Sequence, residues 1–427
     1  MRIIADFHIH SKYSRATSLN MNVDEVTRFA QIKGLNLVGT GDFTHPKWLN
    51  ELKQTLTPID NTGLHKPSTT QPSITFILSS EICTIFEYEG KSKKIHHVLV
   101  APDFEVVSQI NDRLSKYGNL AVDGRPMLDM TAAEMVEEVM AVSPRNIVFP
   151  SHAWTPWFSI FGAFSGFDRF DDCYQDMTKH VHALETGLSS DPAMNWRLSS
   201  LDRFTIVSNS DSHSAWPWRI GREANVFELD ELTYDEVTQV LTTKDPKRFR
   251  LTIETDPAYG KYHWSGHRRC NVSMSPTNAM KSGNLCPKCG RKLTKGVEQR
   301  VEELADRPLG FRPENAVGFI HLLPLSEIVA TVIGAEQPSS SKVWEIYNTL
   351  IGKLGNEFHV LLNASREEIA NLTNEAVADA VIRVREDRVK VIPGYDGVYG
   401  KIEIFAEEVS SKVQEERPTH TRLDEFL

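Results

Sequence analysis

Residues 2–10 read RIIADFHIH, an apolar run that leads directly into two histidines one residue apart. Such a run is typical of a β-strand. Side chains alternate along a strand, so His8 and His10 point to the same face, about 7 Å apart. Two imidazoles at that spacing can share a metal ion. A buried histidine with a backbone partner is the alternative, and the pair alone does not separate the two interpretations.

Polar side chains recur at the ends of other predicted strands, in GTGDFTHP, FILSSEI, KKIHHVLV, IVFPSHA and FTIVSNSDSH. The candidate metal ligands at these ends are Asp42, His45, Glu81, His97, His152, Asp211 and His213. His96 competes with His97, which we prefer because it shares a strand face with Ile95 and Leu99. The sequence leaves open whether Asp42 or His45 is the ligand in its motif.

Predicted helices alternate with these strands over residues 1–255, for example VDEVTRFAQIKG and MTAAEMVEEVMAVS. This rhythm predicts parallel β/α units in an α/β fold, either a barrel or an open sheet. The carboxyl ends of such strands form one face, so the polar side chains should converge there. Imidazoles with carboxylates suit Zn²⁺ or Mn²⁺, and the set is too large for a single ion. We therefore expect a cluster of two or three metals.

The order His-x-His, Asp near His, Glu, His, His, Asp-x-His resembles the PHP (polymerase and histidinol phosphatase) superfamily. That resemblance implies a distorted (β/α)7 barrel with a metal cluster at its C-terminal face. It implies that the catalytic ligands are His8, His10, Glu81, His97, His152, Asp211 and His213, together with a ligand from the Asp42 motif. The sequence departs from the usual pattern at Asp42, which is followed by Phe43 rather than by histidine.

A second metal site is predicted in residues 256–300, where Cys286 and Cys289 form a CxxCG motif. This motif is the tight knuckle of structural zinc sites, which need four ligands. Cys270 is the third, and His267 is the best fourth, with His263 as the alternative. A redox CxxC motif is disfavoured because the strand-to-helix setting that it needs is missing.

The same segment is basic although the whole chain carries a formal charge of −10. Residues 261–300 hold nine Lys and Arg residues and one Glu, a local charge of +8. A concentrated basic module in an acidic chain favours phosphate binding at a defined place. We expect DNA contacts from Arg268, Arg269, Arg291 and Lys292. Arg222 is a further candidate for a phosphate contact, with a structural ion pair as the alternative.

A PHP domain followed by HRRCNVSMSP and CPKCGRKLTKGVEQRVEELADRP also resembles the endonuclease Q family, and the resemblance covers essentially the whole chain. It implies a DNA repair endonuclease that nicks damaged double- or single-stranded DNA 5′ to uracil, hypoxanthine, xanthine or an abasic site. It implies a 3′-hydroxyl and a 5′-phosphate as products. Zn²⁺ would occupy both sites, with Mg²⁺ or Mn²⁺ as alternatives for activity. A phosphatase for a small phosphate monoester and a non-catalytic lesion-binding protein are the competing hypotheses.

Two other segments carry functional hypotheses. Aromatic residues crowd HAWTPWFSIFGAFSGFDRF, directly after His152, where we expect most to pack and one or two to stack against a base. Residues 301–406 are predicted to be a helical DNA-binding region. Residues 407–427 are predicted to be a flexible tail, in which His420, Leu423, Phe426 and Leu427 follow the spacing of a sliding-clamp peptide.

The composition places limits on the class of protein. Without an apolar run of about 18 residues, no membrane span is expected. The N-terminus lacks the pattern of a signal peptide. Five cysteines, three of them within residues 270–289, suit a metal site in a reducing compartment. We therefore expect a cytoplasmic protein that does not bind membranes.

Overall fold

The computed structural model describes residues 1–68 and 74–405. The predicted sliding-clamp peptide lies outside these described residues. Within them, no helix is long and apolar enough to cross a membrane.

The first 254 residues form the larger part of the structure and hold most of its strands. The strands are β1 (Arg2–Asp6), β2 (Leu37–Gly39), β3 (Leu56–Ile59), β4 (Leu64–Pro67), β5 (Thr75–Tyr88), β6 (Lys91–Ala101), β7 (Met127–Asp129), β8 (Ile147–Pro150), β9 (Ala183–Glu185), β10 (Thr205–Val207), β11 (Ala224–Glu228) and β12 (Phe249–Glu254). The helices are α1 (Val23–Lys33), α2 (Pro46–Thr55), α3 (Phe104–Leu114), α4 (Ala132–Val142), α5 (Phe170–Tyr174), α6 (Pro192–Asn195) and α7 (Tyr234–Thr243).

Seven of these strands close a distorted barrel. Strands β1, β2 and β5 are parallel neighbours, and β5, β6 and β8 continue the wall with antiparallel pairings. Beyond β8, the Ala153 amide donates to the carbonyl of Glu185 at the end of β9 (2.9 Å), and β9 pairs with β10 in parallel. A bridge between Ile9 and Ser212 returns from β10 to β1. This arrangement confirms the predicted α/β barrel, although the antiparallel β5–β6 hairpin departs from strict β/α alternation.

The interior of the barrel is a packed core. One hydrophobic cluster takes a buried residue from every strand of the ring, and these residues are Ala5, Leu37, Ile77, Val98, Phe149, Ala183 and Val207. The packed interior leaves the polar side chains at the strand ends to form the face of the barrel. Such a face is where β/α barrels carry their chemistry.

Capping residues set where the helices begin. The Asn22 side chain accepts from the Glu25 amide at the start of α1, and Thr131 and Glu134 form a reciprocal capping box at the start of α4. Helix α1 ends at Gly34, which has φ 97°. These local signals account for the agreement between predicted and observed helices.

The remaining elements follow β12. They are β13 (Ser265–His267), β14 (Val272–Met274), α8 (Pro276–Lys281), α9 (Val297–Leu304), β15 (Gly318–His321), α10 (Leu325–Ile333), α11 (Ser341–Leu354), α12 (Glu357–Leu362), α13 (Arg366–Leu372), α14 (Glu375–Arg385), β16 (Lys390–Ile392) and β17 (Lys401–Glu403). The predicted helical character of the C-terminal region is evident in α10–α14.

Two contacts cross the predicted boundaries between units. Strand β15 pairs in parallel with β12 and so extends the sheet of the first unit. The turn that joins β16 to β17 packs against the Cys-bearing segment, where the Trp264 amide donates to the Gly394 carbonyl (2.9 Å). Division of the chain at residues 255, 300 and 406 therefore stays a prediction.

Candidate metal centre and nucleic-acid surface

Four side chains from three strands, or from the segments that follow them, converge at the face of the barrel. His8, His10, Glu81 and Asp211 each offer one ligand atom, and these atoms lie within 4.8 Å of one another. His10 Nε2 is 2.9 Å from Asp211 Oδ1, and His8 Nε2 is 3.6 Å from Glu81 Oε2. His8 and His10 share a strand face, as their spacing predicts. We call these four residues the first polar group.

A second polar group consists of Glu81, His96 and His152. Glu81 Oε1 lies 3.0 Å from His96 Nδ1 and 3.1 Å from His152 Nε2. The other oxygen of Glu81 faces the first group, so this carboxylate lies between the two groups. The geometry could hold two ions with Glu81 as the shared ligand.

The preference for His97 over His96 is wrong because of the register of the β5–β6 hairpin. His96 pairs with Cys83 and so lies on the same face of the hairpin as Glu81, whereas His97 pairs with Ile82 on the other face. There, His97 hydrogen-bonds with Tyr174 (2.8 Å) and Thr84 (2.9 Å). Burial lowers the pKa of His97 to about 3, so the ring is neutral.

The motif that contains Asp42 and His45 places neither residue in the two polar groups. Asp42 accepts from His10 Nδ1 (3.0 Å) and from the Ser11 amide (2.6 Å), so it orients His10. His45 turns away, with Nε2 3.2 Å from the carbonyl oxygen of Ala121. Direct metal contact by His45 is therefore not supported by this arrangement.

His213 lies beside the first group without joining it. Its ring centroid is 4.4 Å from that of His10, and its Nδ1 donates to the backbone oxygen of Asp211 (2.9 Å). Its side chain is 30% exposed, so it stands at the open edge of the site.

Glu185 also belongs to this arrangement, and the sequence interpretation missed it. It ends β9 and accepts from His8 Nδ1 (3.0 Å), from the Asn209 side chain (2.8 Å) and from the His152 amide (2.8 Å). It thereby orients one ligand from each polar group. The signal that could have identified Glu185 is its place after the apolar pair Ala183-Leu184, at the end of a short strand.

Arg125 also reaches the site, from the loop between α3 and β7. Its Nη1 donates to Glu81 Oε2 (3.0 Å), and its side chain is 25% exposed. The same loop carries Gly124, where a Cβ would lie 2.3 Å from Asp42 Oδ2. The backbone therefore approaches the site more closely than a side chain allows. No strand-end pattern in the sequence marks Arg125.

Charge is concentrated and mutually compensated at this face. Burial lowers the pKa of His8, but Glu185, Glu81 and Asp211 more than reverse this effect and hold the pKa well above its usual value. Burial alone would raise the pKa of Glu81, but His96, Arg125 and His8 hold it well below its usual value. Burial lowers the pKa of His96 to about 4. Ionised carboxylates and a neutral His96 are the forms that bind cations.

The backbone is strained at three of the polar residues. Asp42, His152 and Asp211 have φ values of 47°, 30° and 47°, in the left-handed region that favours glycine. Each lies two to four residues after the end of a strand of the barrel. Such conformations persist where the surroundings enforce them, and they cluster at functional sites.

The predicted zinc ligands His267, Cys270, Cys286 and Cys289 also lie together. Their ligand atoms are within 4.8 Å of one another, and Cys289 Sγ is 3.6 Å from His267 Nδ1. His263 lies apart from this set, 3.3 Å from Glu298. A closed set of this composition is typical of structural zinc.

The basic side chains divide into exposed and buried ones. Arg268, Arg269, Arg291 and Lys292 are exposed, as DNA contacts require. Arg222 is buried and forms two hydrogen bonds with Glu327 in α10 (2.9 and 3.2 Å). The prediction of Arg222 as a phosphate contact is therefore wrong, since its guanidinium is already paired with a carboxylate in the C-terminal helical region.

A solved structure resembles the chain over almost its whole length. The crystal structure of a lesion-specific endonuclease Q from Pyrococcus furiosus matches with a TM-score of 0.85 and 33% identity, covering 97% of this chain and 98% of that chain. The chain belongs to the endonuclease Q family. A second endonuclease Q structure, in complex with a 27-mer duplex substrate with an abasic lesion at the active site, matches with a TM-score of 0.84 and 32% identity over 98% of this chain and 100% of that chain.

Two sequence comparisons also find matches to the chain. Residues 324–388 match the family described as the MJ0043 C-terminal domain. An uncharacterised protein of Methanocaldococcus jannaschii is 33% identical over 263 residues, which are 60% of this chain and 32% of that protein. The chain thus aligns with about a third of the length of that relative.

Proposed function

We propose that the chain is a metal-dependent DNA repair endonuclease. It nicks the phosphodiester 5′ to a deaminated base (uracil, hypoxanthine or xanthine) or an abasic site and leaves a 3′-hydroxyl and a 5′-phosphate. The observation that carries this proposal is the pair of polar groups joined by Glu81, in a chain of the endonuclease Q family. The exposed basic residues beside the four-ligand set favour DNA as the partner.

The side chains present fit metal ions. His8 Nε2 is buried and has no hydrogen-bond partner among the described residues, and it faces Glu81 and Asp211. This nitrogen therefore points into a space bounded by two carboxylates, where a metal cation would supply its missing partner. The donor set of histidines and carboxylates suits Zn²⁺ or Mn²⁺, with Mg²⁺ as a weaker fit.

In this mechanism the first polar group and the second polar group would hold the metal, and Glu81 belongs to both groups. Metal bound there would lower the pKa of a water molecule toward neutral pH and offset charge on the phosphate oxygens. Glu185 holds a proton on His8 Nδ1 and Asp42 holds one on His10 Nδ1, so the Nε2 atoms of both rings would be available to bind metal. Arg125 keeps Glu81 ionised and presents a partly exposed guanidinium to the incoming phosphate.

The test is a nicking assay on duplexes that carry a single uracil, hypoxanthine or tetrahydrofuran abasic analogue, with Mn²⁺, Mg²⁺ or Zn²⁺. We expect one cut, 5′ to the lesion, and a 5′-phosphate on the released end. A chromogenic phosphate monoester is assayed in parallel. Hydrolysis of the monoester with intact lesion DNA would support the phosphatase instead, and lesion binding without cutting would support a non-catalytic protein.

Asp211→Asn supplies the matched variant for this assay, because it removes one carboxylate from the first polar group without changing its size. We expect it to abolish nicking while the protein stays folded. Asp60→Asn, in the exposed turn between β3 and β4, makes the same chemical change away from the site and should nick normally. A fully active Asp211→Asn would contradict the assignment of the metal centre.

A further inference from the structure

The aromatic segment after His152 separates into a buried part and an exposed part. Trp154, Phe161, Phe167 and Phe170 are buried in the core. Trp157 and Phe164 are 41% and 52% exposed, and their rings stack on each other with centroids 4.9 Å apart and an interplanar angle of 13°. The packed majority agrees with the sequence-based expectation, and we call the exposed pair the aromatic platform.

The aromatic platform is tied to the second polar group at two points. His152 Nδ1 donates to Thr155 Oγ1 (3.0 Å), and Thr155 in turn donates to the carbonyl oxygen of Trp157 (3.0 Å). The His96 amide donates to the carbonyl oxygen of Phe158 (3.0 Å). The backbone at Trp157 and Phe158 is therefore tied to two candidate metal ligands by short chains of hydrogen bonds.

The loop that carries the aromatic platform is also held from outside. Arg300 donates to the carbonyl oxygens of Phe161 and Phe167, both at 3.0 Å. The Phe158 amide donates to Ser165 Oγ (2.9 Å) across the loop. This bracing keeps two large apolar rings exposed to solvent, an arrangement that costs free energy unless something covers them.

Positive charges lie over aromatic rings that neighbour the platform. Lys94 Nζ lies 5.6 Å from the ring centroid of Phe158. Tyr262 meets Trp157 edge-on at 5.4 Å, and Lys261 Nζ lies 5.6 Å from the Tyr262 ring. Aromatic faces bordered by lysines are the pattern with which proteins hold unpaired nucleotides, because bases stack and phosphates pair with the cations.

We propose that the aromatic platform binds an unpaired nucleobase of the DNA substrate, beside the phosphate that is cut. This inference rests on the proposed function and identifies a part of its specificity. A base leaves the duplex most readily at a damaged or unpaired position. Stacking on Trp157 compensates for the stacking lost in the duplex, and the hydrogen bonds to His152 and His96 place that base at a fixed distance from the metal centre.

The experiment compares Trp157→Leu, which keeps an apolar side chain without an aromatic face, with Trp157→Phe, which keeps a stacking face. Binding is measured in an Asp211→Asn background, on duplexes with a uracil or a tetrahydrofuran abasic site. 2-Aminopurine is placed opposite the lesion or on either side of it, since its fluorescence is quenched when it stacks. Leu309→Ala, at a 48% exposed site between α9 and β15, is the control.

We expect Trp157→Leu to weaken lesion binding by about fivefold or more, while Trp157→Phe retains most of the affinity. Weakening confined to the uracil duplex identifies the lesion base as the stacked one. Weakening on both duplexes, with loss of the quenching at one 2-aminopurine position, identifies a neighbour. If Trp157→Leu does not fold, Phe164→Leu provides the same test on the other ring of the aromatic platform.

Unchanged binding and quenching in Trp157→Leu would overturn the proposal. Equal defects in Trp157→Leu and Trp157→Phe would also overturn it, because they would indicate shape rather than stacking. If the unaltered chain neither binds nor cuts any lesion duplex, the proposed function fails, and the platform proposal fails with it.

Discussion

Glu185→Gln tests whether the orientation of the histidines controls metal binding. Glu185 accepts three hydrogen bonds, from His8 Nδ1, the Asn209 side chain and the His152 amide. Glutamine has the same shape but offers one acceptor oxygen and one amide group in place of two acceptor oxygens. At least one of the three donors therefore loses its acceptor, and the ring of His8 loses the carboxylate that fixes its tautomer.

The expected loss follows from the role of the carboxylate. Replacing a carboxylate that orients a metal-bound histidine lowers metal affinity or activity by about 10- to 100-fold. At about 1.4 kcal/mol per factor of ten, this corresponds to about 1.4–2.8 kcal/mol. The upper part of the range is expected here because Glu185 supports a ligand in each polar group.

The assay is a metal titration followed by activity measurements on the uracil duplex at saturating metal. We expect the midpoint of the titration for nicking to rise by about 10- to 100-fold in Glu185→Gln, with partial recovery at high metal concentration. Asp60→Asn controls for loss of a carboxylate elsewhere. An unchanged midpoint would refute the orienting role, and so would tighter metal binding, which would mean that Glu185 only keeps His8 protonated.

Three further perturbations test other parts of the structure. Lys33→Met leaves the buried Glu357 without the ammonium that lies 2.7 Å from it, so the free energy of unfolding measured in urea should fall by about 3–5 kcal/mol. The double variant Lys33→Met with Glu357→Gln should recover much of this loss. Burial raises the pKa of Glu223 well above its usual value, so the folded state keeps a proton on this carboxyl that the unfolded state loses, and the free energy of unfolding should fall as pH rises from about 5. Glu223→Gln should lessen this fall. Parallel curves of unfolding free energy against pH for the two proteins would contradict this prediction. Cys286→Ser should lower the zinc content measured by atomic spectroscopy by one ion per chain, whereas Asp211→Asn should leave that ion bound.

Much of the metal centre could be predicted because strand ends can be recognised in a sequence. An apolar run that stops at a polar side chain identified His8, Glu81, His152 and Asp211, and the structure brings all four to one face. Side-chain alternation also placed His8 and His10 together correctly. Both inferences use only local sequence patterns, which do not depend on contacts with distant parts of the chain.

The errors have a different physical origin. The choice between His96 and His97 depends on the phase of the β5–β6 hairpin, and a shift of one residue exchanges the two faces of a strand. Arg222 pairs with Glu327, 105 residues away, so no local pattern could have predicted that its charge is already neutralised. Arg125 lies in a loop, where neither the side-chain periodicity of a helix nor that of a strand applies.

The left-handed backbone at Asp42, His152 and Asp211 has a consequence for attempts to make this protein more heat-resistant. Replacing a strained non-glycine residue by glycine relieves steric strain, so stability-based selection would favour these three positions. Each such replacement would also remove a side chain that orients or supplies the metal centre. Selection for thermal stability alone would therefore yield more stable variants with no activity. A useful screen must measure DNA cutting alongside thermal stability.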